Sequence, residues 1–93
     1  MFVGIVRIEL HLPASGSLKD KRAIVRALKD KIRHHVQAAV AEVDHQDLWQ
    51  RAALGVSVVS GEAGHVGSLL QSVRHIVESR PDAQVIDWQE QVV

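Results

Sequence analysis

Residues 2–12 alternate with a two-residue period, and beyond Ser17 the apolar spacing changes to that of a helix. Phe2, Gly4, Val6, Ile8, Leu10 and Leu12 fall on one side; Val3, Ile5, Arg7, Glu9 and His11 fall on the other. That is the pattern of a half-buried strand. Pro13-Ala14-Ser15-Gly16 ends it, and Ser17 stands as an N-cap with Asp20 in the capping-box position. Leu18, Ile24, Val25, Leu28 and Ile32 then form an apolar helical face that closes near His34-His35.

The same two periods recur downstream. Residues 37–44 are short, apolar and alternating, which predicts a second strand. His45 to Arg51 is too polar for a core strand and reads as a turn or short helix. Residues 53–60 are rich in small and β-branched residues and predict a third strand, broken by Ser60-Gly61-Glu62-Ala63-Gly64. Val66, Leu69, Leu70, Val73, Ile76 and Val77 mark a second amphipathic helix, stopped by Arg80-Pro81-Asp82. Residues 83–91 complete the chain as a last strand.

The predicted order is β-α-β-β-α-β within a single domain spanning residues 1–93. Two split β-α-β crossovers joined through the middle hairpin give an α+β ferredoxin-like sandwich, a four-stranded antiparallel sheet with two helices on one face. The other sheet face stays uncovered. It is expected to carry Val3, Ile5 and Val59, with Arg7, Glu9 and His11 toward one end. A homodimer through this apolar face is the simplest expectation. A stacking platform for RNA bases would need aromatics there, and the face has none.

Charge adds a second constraint. Lysine and arginine balance aspartate and glutamate at eleven each, yet residues 17–35 hold seven positive and two negative charges, a net of +5. Residues 36–93 hold three positive and eight negative, a net of −5. Lys19, Arg22, Arg26, Lys29 and Arg33 are spaced three or four apart. At about 100° per residue they share a helical sector roughly 80° wide. Such a stripe suits phosphate contact, with Lys21 assisting and with Ser17 and the first helical N–H groups offering an anion site. RNA, the ribosome or a small phosphorylated ligand are the partners this chemistry admits; a solvated helix face is the plain alternative. No apolar run reaches the roughly 18 residues of a membrane span. The N-terminus lacks the features of a signal peptide, and there is no cysteine, so a cytoplasmic location is expected.

Certain segments are more particular. Ser17-Leu18-Lys19-Asp20-Lys21-Arg22 opens the first helix, followed by Ala41-Glu42-Val43-Asp44, Gln46-Asp47-Leu48-Trp49-Gln50-Arg51-Ala52 and Leu54-Gly55. Together, in this order and across the whole chain, they resemble the bacterial YlxP-like family, catalogued as a domain of unknown function. The resemblance implies a ferredoxin-like domain. Genes of that family lie near those for transcription-elongation, translation-initiation and ribosome-maturation factors, which implies ribosome or RNA biology by association. It brings no catalytic residues. Relatives carry an aromatic and a polar residue just before strand two, where this chain has His34-His35-Val36-Gln37.

Other constellations are weaker. Asp44, His45 and Asp47 could hold a divalent metal or act as an acid–base pair, but strand geometry is expected to send Asp44 and His45 to opposite faces. Capping of the following turn, or pairing with Arg51, is the structural use expected of Asp44 or Asp47. Trp49, in a polar segment, either packs under its loop against a helix or anchors an interface. Trp88, expected on an edge strand, has the same two options. Six histidines show no H-x-x-x-H pair. An acylphosphatase-type loop would need several glycines and an arginine straight after the first strand; Leu12 to Ser17 has one glycine and no arginine. The reading is a non-catalytic binding protein without cofactor or metal, contacting RNA or the ribosome through its first helix. The alternatives are a protein-interaction or homodimerisation module and a small-ligand regulatory domain.

Overall fold

The computed structural model describes residues 1–93. Six elements follow one another: β1 (Phe2–His11), α1 (Leu18–His35), β2 (Ala39–Asp44), β3 (Arg51–Ser60), α2 (Ala63–Glu78) and β4 (Gln84–Val92). The sheet runs β2-β3-β1-β4, with every neighbouring pair antiparallel. β3 therefore sits inside the β1-α1-β2 crossover, and β1 inside the β3-α2-β4 crossover. This is the expected ferredoxin-like sandwich. α1 packs on β2 and α2, while α2 covers β1, β3 and β4.

Most boundaries fall within two residues of those predicted. β2 begins at Ala39 rather than residue 37 because the Val36 N–H closes onto Ile32 O and prolongs the end of α1. β3 begins at Arg51, two residues early, since Arg51 pairs with His11. Residues 45–50 form turns and no helix, with the Leu48 N–H donating to His45 O.

The side of β1 that carries Gly4, Val6, Ile8 and Leu10 faces the helices, and Val6, Ile8, Leu10 and Leu12 are fully buried. They meet Val25, Leu28 and Ile32 of α1, Val66, Leu70, Val73 and Val77 of α2, and Leu54, Val56 and Val58 of β3. Burial of each such aliphatic side chain contributes about 1.5–3 kcal/mol.

Gly4 sets the distance between β1 and α2. A Cβ there would lie 2.5 Å from Val66 Cγ1, 3.0 Å from Val58 Cγ2 and 3.1 Å from Leu70 Cδ1. Three core side chains would have to move at once. Gly4→Ala is expected to destabilise by about 1–3 kcal/mol, read as a lower midpoint in urea with an unchanged slope.

Candidate functional site

α1 begins with a side-chain cap. Ser17 is extended (φ −162°, ψ 165°) and its hydroxyl accepts from the Asp20 N–H at 3.0 Å. The Asp20 carboxylate accepts from the Gly16 N–H at 3.0 Å, one residue further back than a capping box reaches. Ser17 is thus engaged in the cap, and a carboxylate already stands at the positive helix end. An anion at Ser17 would share the helix end with that carboxylate, which counts against the expected anion site there.

Lys21 is a second correction. It is 1% exposed, and its ammonium donates to His45 O at 2.6 Å and Gln46 O at 3.0 Å and pairs with Glu42 at 2.8 Å. Lys21, Val25, Leu28 and Ile32 are the buried residues of α1. Their spacing of four, three and four places Lys21 on the apolar stripe, turned away from the cationic one. It ties α1 to the β2–β3 loop instead of meeting an external anion.

The five stripe residues share one flank. Lys31 and His35 face α2, lining a groove with Gln71, Ser72, His75, Ile76 and Ser79. Lys19, Arg22, Arg26, Lys29 and Arg33 lie on the other shoulder of α1, above the free edge of β2. Arg33 marks the place: its Nη2 donates to Val40 O at 2.7 Å. Lys19, Arg22, Arg26 and Arg33 are exposed and Lys29 half-exposed. Outside α1 every lysine and arginine is ion-paired: Arg7 with Glu9 and Asp44, Arg51 with Glu9, Arg74 with Glu78, and Arg80 with Asp82. On α1 only Lys21 is. All six lysines and arginines without an ion-pair partner therefore lie on this one helix.

The open sheet face divides into two halves. Register places Val3 beside Val59 and Ile5 beside Ser57, with Ile5 43% and Val59 56% exposed. Ala39, Ala41 and Val43 continue this apolar half across β2. The other half is a charge network that the sequence did not reveal. Glu9 accepts from Arg7 at 2.7 Å, Arg51 at 3.0 Å and His45 Nε2 at 3.0 Å, and Arg7 also reaches Asp44 at 3.2 Å. His45 has φ 62°, outside the strand region, so its ring turns back beside Asp44 rather than to the opposite face. That reverses the expectation for this pair. Arg51 pairs with Glu9, not Asp44 or Asp47, while Asp44 does cap the turn by accepting from the His45 N–H at 2.8 Å. No group of three or more His, Cys, Asp or Glu is gathered as a metal would require.

Partial burial opposes ionisation of Glu9, but hydrogen bonds from Arg51 and Arg7 and the charge of His45 outweigh it and hold its pKa below the ordinary 4.5. The His45 N–H and then Arg7 lower Asp44 below 3.8. A carboxylate with a depressed folded-state pKa stabilises fully above its unfolded value and loses that contribution as pH falls through the folded value. Wild type is therefore expected to melt above Glu9→Gln at pH 7. The gap in Tm should narrow once pH falls below about 4.5, as thermal unfolding followed by circular dichroism will show.

The two tryptophans part company. Trp88 packs against the core; Arg74 stacks over its ring at 4.9 Å, and its indole N–H donates to Glu90 at 2.9 Å. Trp49 does not pack under its loop. It is 55% exposed beside the exposed Leu48.

A family model described as a protein of unknown function (DUF503) matches residues 3–90. The chain belongs to that family. Among its relatives, the uncharacterized protein YlxP of Bacillus subtilis (strain 168) is 28% identical over 82 residues, covering 88% of this chain and 89% of the relative. This agrees with the resemblance carried by the Ser-Leu-Lys and Asp-Leu-Trp-Gln-Arg-Ala segments. A de novo designed protein with a ferredoxin fold, solved by solution NMR, superposes with a TM-score of 0.60 over 99% of this chain and 85% of its own. At 17% identity that match shows the fold alone. No helix is long and apolar enough to cross a membrane.

Proposed function

We propose that this protein binds structured RNA, free or within the ribosome, through the outer shoulder of α1, without a catalytic step. The observation that carries the reading is the segregation of every ion-pair-free lysine and arginine onto that helix. Lys19 to Arg33 spans about 21 Å, with successive cations about 5 Å apart along the axis, so each can meet its own phosphate. Like charges at these spacings cost an isolated helix about 0.2–0.5 kcal/mol per pair at low salt. A polyanion would relieve that cost. The net −5 of residues 36–93 turns the contact to one side of the molecule. No aromatic lines the stripe, so recognition is of backbone and shape rather than base sequence. Such a partner implies a cytoplasmic protein.

The test is fluorescence anisotropy of a labelled RNA hairpin across a salt series. Four to five phosphate contacts give a log–log slope of about −3.5 to −4.5. A slope shallower than about −1, or no binding at 50 mM salt, would remove the proposal.

We also infer that the open sheet face is covered by a second copy of this chain. Strands of ten, six, ten and nine residues, rising about 3.3 Å per residue and lying about 4.8 Å apart, offer roughly 550 Å² per copy, just under the lower bound for a stable dimer. The face is apolar at one end, and at the other Arg7 and Arg51 are matched by Glu9 and Asp44, so two copies meet without net repulsion. Sedimentation equilibrium should show a dimer that Ile5→Glu dissociates; a monomer at 100 μM wild type would refute it.

A further inference from the structure

α1 and α2 leave a groove between them of about 610 Å³, a volume within the range of small-molecule sites. Its floor is the buried Ile76, and its walls are polar. Lys31 and His35 stand four residues apart on α1 and so share one face of that helix; Gln71 and His75 do the same on α2. All four are exposed, and none of them is hydrogen-bonded to another group of the fold. Ser72 and Ser79 differ, because their hydroxyls donate to Ser68 O at 3.2 Å and to Ile76 O at 2.8 Å. The free donors of the groove are therefore one ammonium, one amide and two imidazoles, drawn from opposite walls.

Charge selects the ligand. Lys31 is the one ion-pair-free cation of α1 that stands off the outer shoulder, and it lines this groove. No carboxylate lines it. Where the groove runs on past Lys31, Ile76 and Ser79, the next charges are Arg80 and Asp82, which pair with each other at 2.7 and 3.0 Å. Glu78, in the last turn of α2, is held by Arg74 at 3.1 Å. Asp30 lies about 100° round α1 from Lys31, on the side away from the buried stripe. His34 meets His35 edge-on, with ring centroids 5.1 Å apart. The groove thus carries the single charge of Lys31 with its imidazoles neutral, and gains one more with each imidazole protonated. Lys31 would repel a metal cation, and two imidazoles fall short of the ligand set a metal needs. A tetrahedral dianion, its oxygens met by these donors from two walls, is the occupant the set fits.

We propose that the α1–α2 groove binds a phosphate group, free or as the monoester of a small molecule, between Lys31, His35, Gln71 and His75. The site lies on the opposite flank of α1 from the five-residue stripe, so it stands or falls separately from the RNA reading. Imidazole takes up its proton between about pH 8 and pH 5, and binding tightens as pH falls through that interval.

The experiment follows imidazole and backbone amide resonances of the ¹⁵N-labelled protein while an anion is added at constant ionic strength. Sulfate is the first probe, because it stays doubly charged throughout this pH interval. Inorganic phosphate and glycerol 3-phosphate follow, to tell the free anion from a monoester. Saturating shifts at His35, His75 and the Gln71 side-chain amide are expected, with His11, His45 and His65 unmoved. Two exposed charge pairs of ordinary size make sulfate about 2- to 30-fold tighter at pH 5.5 than at pH 7.5. His35→Gln with His75→Gln should abolish that pH dependence, and Lys31→Ala should weaken binding about 2- to 5-fold. These positions are exposed, so the variants keep the fold. Tighter binding of glycerol 3-phosphate than of phosphate identifies a monoester as the ligand class, and the reverse identifies the free anion. Shifts that grow without saturating, or that centre on Lys19, Arg22 and Arg26, overturn the groove as a site. A zinc titration that moves His35 and His75 when neither sulfate nor phosphate does also overturns it, since the groove would then hold a cation.

Discussion

Replacing Lys21 by alanine is expected to lower the stability of this domain by about 3–5 kcal/mol, the range found when one partner of a buried ion pair is removed. The variant leaves the Glu42 carboxylate, whose side chain is only 18% exposed, without its counter-ion. It also leaves two backbone carbonyls, His45 O and Gln46 O, without their donor. A vacated aliphatic stem beside Val25 and Leu28 adds a cavity. Domains of this size are stable by about 5–15 kcal/mol in total, so the change removes about a fifth or more. Urea denaturation measures it. Lys21→Met keeps most of the volume and should cost less. Adding Glu42→Met should recover part of the remainder, because an apolar pair can replace a buried ion pair at little net cost. A loss below about 1 kcal/mol for Lys21→Ala would show that the ammonium does not hold the loop.

The second large effect is on binding. Reversing three stripe charges, as Arg22→Glu with Arg26→Glu and Lys29→Glu, is expected to reduce RNA affinity about 100-fold at 0.2 M salt and about 3,000-fold at 50 mM. Each phosphate contact contributes about 0.9 of a decade in affinity per decade of salt, so removing three flattens the slope by about three. None of these side chains has an ion-pair partner, and Arg22 and Arg26 are exposed, so stability should change by about 0.5 kcal/mol or less. That separates a binding defect from a folding defect. Reversal with undiminished affinity would move the contact to another surface.

The order of elements was legible because both apolar periods are nearly uninterrupted: the two-residue period of Val6, Ile8, Leu10 and Leu12, and the three-four spacing of Val66, Leu70, Val73 and Val77. The stripe was legible for the same reason. The place of Lys21 is in the sequence as an angle, since it precedes Val25 by four and Leu28 by seven, on the apolar face. What hid its role is that its three partners, Glu42, His45 and Gln46, lie more than twenty residues away. The Glu9 network was hidden by one backbone angle. A histidine at φ 62° breaks the alternation on which Asp44 and His45 were assigned to opposite faces. Trp49 was open to two fates, and the choice came from hydrogen bonds of Gln50 and Lys21 to distant carbonyls, which no local pattern encodes.

Backbone amide shifts of the ¹⁵N-labelled protein, recorded while an RNA hairpin is added at low salt, test the central claim most directly. Perturbations confined to Lys19–Arg33 and the adjoining edge of β2, reversed by added salt, are the expected result. Perturbations centred instead on Val3 to Arg7 and Val59, or none at saturating RNA, would contradict it.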